Sequence, residues 1–103
     1  MNQKAMNMLG LCARAGKLVT GEKAVVQAIR SGSCHLALLD GAVAQNGEKA
    51  VTDACASHGV PLIKTGADAL GAAIGRPGRM AAAVTDQGMA KRIIELSQPS
   101  GDR

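Results

Sequence analysis

Two short stretches of this 103-residue chain, Leu36-Ala37-Leu38-Leu39 and Met80-Ala81-Ala82-Ala83-Val84, are apolar at every position. A strand with one wet face alternates apolar and polar residues, so an unbroken apolar run this short belongs to a strand covered on both sides. The alanines of the second run are weak strand formers, yet its length and neighbours favour the same reading. The chain must therefore supply two helical layers for one small sheet.

The segments around these runs supply them. Met6, Leu9 and Ala13, with Met8 and Cys12, recur at helical spacing from Asn2 to Ala15, and Gly16 stops the helix. Leu18-Val19 reads as a short strand. The next helix reaches Arg30 with Ala24, Val25, Ala28 and Ile29 inward, which leaves Lys23, Gln27 and Arg30 along an outer edge. Asp40-Gly41 reads as a turn, and Asn46 as the cap of a helix ending at Gly59. Pro61 to Lys64 gives another strand, and Thr65 and Asp68 open a small helix over 67–74. Asp86 caps a last helix with Met89, Ala90, Ile93 and Ile94 inward. Strands alternating with helices, with doubly covered strands, predict an α/β fold: a three-layer α/β/α sandwich with a small mixed central sheet. The expected division is one domain over 1–96 and a flexible tail over 97–103.

Phe, Tyr and Trp are absent, so the core must be thin and built from Ala, Val, Leu, Ile and Met. The same absence excludes the RNA-recognition and OB-type sheets that hold bases on aromatic rings. Cys12, Cys34 and Cys55 are widely spaced and odd in number, which does not suit a disulfide framework; buried reduced thiols are expected, and neither metal nor cofactor. No apolar run approaches membrane-spanning length and no signal-like segment is present, so the expectation is a cytoplasmic protein with no membrane partner. Twelve basic residues face eight acids. Lys4, Arg14, Lys17, Lys23 and Arg30 crowd the first 32 residues against Glu22 alone, so the positive excess is concentrated there and points to a polyanion.

The stretch Gly16-Lys17-Leu18-Val19-Thr20-Gly21-Glu22-Lys23 places a Gly-marked turn before a helix that Thr20 or Gly21 would cap. The first amides of that helix have no partner inside it and attract an anion such as a phosphate. This is not a phosphate-binding loop of the nucleotide-hydrolysing kind, because Lys should follow the second Gly directly and Ser or Thr should come next. Gly75-Arg76-Pro77-Gly78 has the GxxG form of KH domains, but a strand follows it, and a Pro-Gly turn accounts for it. Arg76 and Arg79 nonetheless sit on an exposed loop where they could grip phosphates. His35 and His58 stand apart from any nucleophile, and no enzymatic constellation is visible.

Leu9-Gly10-Leu11-Cys12-Ala13-Arg14-Ala15-Gly16-Lys17-Leu18-Val19-Thr20-Gly21-Glu22, then Ala28-Ile29-Arg30-Ser31-Gly32 and the late Ala73-Ile74-Gly75-Arg76-Pro77, give the chain a likeness to a known family. It resembles the bacterial YlxQ-like branch of the L-seven-Ae ribosomal protein superfamily over about residues 3 to 96. The resemblance implies a non-catalytic α/β/α protein that binds structured RNA, ribosomal RNA or another kink-turn-like RNA, a duplex sharply bent at a bulge flanked by sheared G·A pairs. It also implies a ribosome or translation setting with ribosomal proteins nearby. Family members read the G·A pairs with a Gly-x-Asn-Glu motif; by position Gly21 matches the Gly, Lys23 the Asn and Ala24 the Glu, with Lys17 at a basic place upstream. Lys23 donates but cannot accept, and Ala24 does neither. The footprint expected on this basis is Arg14, Lys17, Thr20, Gly21, Glu22, Lys23 and Gln27 on one side. Arg76, Arg79 and Met80 form the other, with Met80 covering an unstacked base. The expected state is a monomer, and the rival reading is a protein-interaction module that docks its basic face on an acidic or ribosomal partner.

Overall fold

The two unbroken apolar runs form the middle of a four-stranded sheet. In the computed structural model, which describes residues 2–97, the chain order is α1 (Gln3–Arg14), β1 (Leu18–Thr20), α2 (Glu22–Arg30), β2 (Leu36–Leu39) and α3 (Gln45–His58). It continues through β3 (Leu62–Lys64), α4 (Ala69–Ile74), β4 (Ala81–Val84) and α5 (Gln87–Ser97). The strands lie in the order β1-β4-β2-β3. β4 is antiparallel to both neighbours, with Leu18 opposite Val84 on one side and Leu39 opposite Ala81 on the other, while β2 and β3 run parallel. The sheet is therefore mixed, as the sequence predicts.

Strand geometry then sorts the core into two layers, because successive side chains point to opposite faces. Ala37, Leu39, Ala81 and Ala83 face α2 and α3, where Val25, Ile29, Val51 and Cys55 meet them. Leu36, Leu38, Ala82 and Val84 face the other way, against Leu9 and Cys12 of α1, Leu70 and Ile74 of α4, and Ala90 and Ile93 of α5. All eight strand positions of β2 and β4 are buried. The alanine pairs let the helices approach the sheet closely, so a chain without aromatic residues still closes a continuous core.

Several local expectations shift. Helix α3 starts at Gln45 with Ala44 as its N-cap, so Asn46 lies inside the helix and caps nothing. The turn before it is set instead by Asp40, whose carboxylate accepts from the Ala42 amide and whose carbonyl accepts from that of Val43. Helix α4 begins at Ala69 rather than Ala67, since Asp68 is held at φ 63°, a left-handed conformation that a helix cannot pass through. Ala24 is exposed, not inward. Ser97 is the last residue of α5, its hydroxyl donating to the Ile93 carbonyl, while the rest of the expected tail lies outside the described residues. Asp86 does cap α5, accepting from the Met89 amide at 2.8 Å.

Candidate nucleic-acid interface

β1 and β4 run in opposite directions, so the end of one lies beside the start of the other. The Gly21 amide donates to the Ala81 carbonyl at 3.0 Å, which brings the α2 tip against the segment leaving the Arg76–Met80 loop. Gly21 is the N-cap of α2 with φ 97° and ψ 143°, a conformation that side-chain-bearing residues rarely adopt. A methyl group in place of its hydrogen would stand 3.9 Å from Nη1 of Arg79. Arg79 of the late loop thus stands beside the helix tip, so these two parts of the expected footprint are neighbours.

The first amides of α2 lack intrahelical partners and carry the positive end of the helix dipole. Their N-cap, Gly21, has no side chain to cap them. Lys23 is exposed in the first turn of α2 and exposed Arg79 stands beside its N-cap, while Arg76, also exposed, lies three residues before Arg79 against α4; among the described residues none of the three is held in an ion pair. Glu22 is turned aside: its carboxylate lies over Gly47 at the start of α3, 2.8 Å from where a Cβ would stand. The one acid in the tip therefore leans away, onto the neighbouring helix. Lys23 and Gln27 line a hollow on α2 together with Glu22, Val26, Arg30 and Ser31, and Ala50 of α3 borders it. Thr20 pairs with Ala82 at the end of β1, and half-buried Met80 directly follows Arg79.

Two expected contributors lie elsewhere. Lys17 precedes β1, its carbonyl bonded to the Thr85 amide, and at about 3.3 Å per extended residue it stands roughly 13 Å from Gly21. Arg14 ends α1 and borders a groove against α4, in the layer across the sheet from α2. His35 and His58 line a hollow with Cys34 beside the starts of β2 and β3, the opposite end of those strands from the α2 tip. Among the described residues no three His, Cys, Asp or Glu side chains converge to hold a metal. All three cysteines are free and buried, and burial pushes the Cys34 thiol up to about 11 and raises those of Cys12 and Cys55. Such thiols are poor nucleophiles at neutral pH.

The group that sequence reasoning undervalued is Asp40. It is fully buried, and its carboxylate accepts from the amides of Asp68 (2.7 Å), Ala42 (2.9 Å) and Leu70 (3.0 Å) and from the Thr65 hydroxyl (3.2 Å). A charged residue ending an otherwise apolar strand was the available signal. Burial pushes its pKa up, but the four donors outweigh burial and hold it below the usual carboxylate value. A depressed folded-state pKa contributes stability above the unfolded value near 4, and that contribution vanishes as pH falls through the lower folded value. Thermal melts are accordingly expected to drop between about pH 5 and pH 2, and this part of the drop to disappear in Asp40→Asn.

The fold can now be set beside known proteins. The model of the Ribosomal protein L7Ae/L30e/S12e/Gadd45 family matches residues 3–94. This chain belongs to that family. A relative from Bacillus subtilis (strain 168), named RNA-binding protein YlxQ, is 43% identical over 90 residues, spanning 86% of this chain and 90% of the relative. Among solved structures, a Bacillus halodurans protein described as of unknown function superposes with a TM-score of 0.87 at 34% identity, covering 92% of this chain and 97% of its own. The Giardia lamblia 15.5kD RNA binding protein shares the fold with a TM-score of 0.75 at 20% identity, over 93% of this chain and 89% of its own. In this chain Lys23 and Ala24 follow Glu22 in the first turn of α2. Among its described residues no helix is long and apolar enough to cross a membrane.

Proposed function

We propose that this chain is a cytoplasmic, monomeric and non-catalytic RNA-binding protein. Its ligand is a bent, bulged duplex of the kink-turn kind in ribosomal or other translation-associated RNA. The observation that carries this reading is the approach of Arg79 to Gly21 beside the first amides of α2, which joins two distant parts of the chain in one basic edge. Family membership and the naming of the Bacillus subtilis relative as an RNA-binding protein support it.

In the bound state the α2 amides and the Lys23 ammonium meet phosphates or guanine edges. Gly21 lets the backbone come close, and Thr20 and Gln27 border the contact. Arg76 and Arg79 hold the opposite strand, with Met80 against an unstacked base. A plain duplex offers the same charge but neither the bend nor the exposed base, so shape supplies the preference that an Asn-Glu pair would supply through base edges.

A gel-shift series with a bulged kink-turn RNA, an unbulged duplex and a single strand tests this directly. The kink-turn should bind at least about tenfold more tightly than either control. Its affinity should fall by about two to three powers of ten between 50 and 200 mM salt, as expected for four to six phosphate contacts. Equal, weak binding to all three would overturn the proposal and leave the basic face to an acidic protein partner.

A further inference from the structure

We propose that Asp40 is the positioning residue of the RNA edge, a buried clamp that holds both ends of the arginine loop in place; this rests on the RNA-binding reading above. Its main-chain amide donates to the Met80 carbonyl at 2.8 Å, fixing the end of the loop where it enters β4. Its side chain reaches the other end. Helix α4 is only six residues long and its own N-cap, Asp68, makes no side-chain cap bond. A helix this short does not hold itself together, and its first amides need partners. Asp40 provides one from 30 residues away by accepting from the Leu70 amide, while its second carboxylate oxygen takes the Asp68 amide. The Ala42 amide adds a third donor, and the Thr65 hydroxyl, 3.2 Å from the carboxylate, shares its one proton between Asp40 and the Gly66 carbonyl at 3.0 Å.

The helix held in this way is the bed of the loop. The Arg76 amide bonds to the Gly71 carbonyl, and a Cβ on Gly71 would stand 2.8 Å from the Arg76 carbonyl oxygen and 3.1 Å from Pro77 Cα. Arg76 to Gly78 thus lie directly on α4. Gly41 is pressed as closely against the backbone of Thr65 to Ala67, so the clamp has no slack on its own side. Loosening the Asp40 carboxylate frees α4 at its start and with it the bed of Arg76 to Gly78, while the main-chain bond to Met80 stays, so Arg79 is left held from one end only.

The test combines Asp40→Asn with Thr65→Val, which removes a single donor, and with Arg79→Ala. The asparagine NH2 turns a donor toward the amides of Ala42 and Asp68 or leaves another pair unmet. In the free protein, amide exchange of Leu70, Arg76 and Arg79 should speed up about tenfold more than that of β2 and β4, and kink-turn affinity should fall about tenfold for Asp40→Asn and about threefold for Thr65→Val. Arg79→Ala should then weaken binding less in the Asp40→Asn background than in the native one, a coupling that general loss of stability does not produce. Uniform exchange across the fold, with unchanged affinity of the folded fraction, would overturn the proposal. Should Asp40→Asn not fold, Thr65→Val alone decides, by the same exchange pattern and affinity. If Arg79→Ala leaves RNA binding of the native protein unchanged, the RNA reading fails while the exchange pattern still judges the clamp.

Discussion

The Lys23→Ala, Arg79→Ala double variant is expected to bind kink-turn RNA about a hundredfold more weakly than the native chain, with each single change costing about tenfold. Both side chains are exposed and neither packs into the core, so melting should stay within about 0.5 kcal/mol of the native protein. The salt slope should shrink by about two, because two phosphate contacts are gone. Arg79 stands close to Gly21 at the head of the helix that carries Lys23, so the two losses need not add, and their deviation from the sum measures how far the edge acts as one unit. A folded double variant with native affinity would show that RNA lies elsewhere on the molecule.

The largest stability effect is expected for Leu38→Ala. Leu38 is fully buried at the centre of β2, facing α1, α4 and α5, and it pairs with Ala82 across the sheet. Removing a buried leucine costs about 2–5 kcal/mol, more where the surroundings cannot collapse into the space. Collapse is poor here, since the facing position is already alanine and the chain has no aromatic ring to swing inward. For a domain of this size such a loss lowers the melting temperature by about 10–25 °C. Leu11→Ala serves as the control, because Leu11 is 45% exposed and should change stability by less than about 1 kcal/mol. A Leu38→Ala variant that melts near the native temperature would mean a core packed far more loosely than the structure shows.

Periodicity and turn residues carried most of the fold into the sequence. Leu36 to Leu39 and Ala81 to Val84 announce doubly covered strands, and Asp86 announces the cap of α5, because these are properties of adjacent residues. What the sequence hid was set by residues far apart. Asn46 looks like a cap and is not one, since Asp40 fixes the preceding turn and α3 starts earlier. Thr65 and Asp68 look like the opening of α4, yet the group that holds that helix is Asp40, just past the end of β2. Lys17 is near Gly21 in sequence, but an extended strand carries it away, whereas Arg79, nearly sixty residues later, is folded over Gly21. Local pattern identified the helix tip and the arginine loop separately; only the pairing of β1 with β4 makes them neighbours.

That strand order also sets when the edge comes into being. β1, made first, has β4 as its one partner in the sheet, and β4 is also the strand that joins it to β2 and β3. A nascent polypeptide that stops short of Ala81 has the α2 tip and the arginine loop in hand but nothing to fasten one to the other. On the RNA-binding reading proposed above, capture at this edge begins only once β4 has emerged and docked between β1 and β2, and a product terminated before Ala81 would be unable to compete for the ligand.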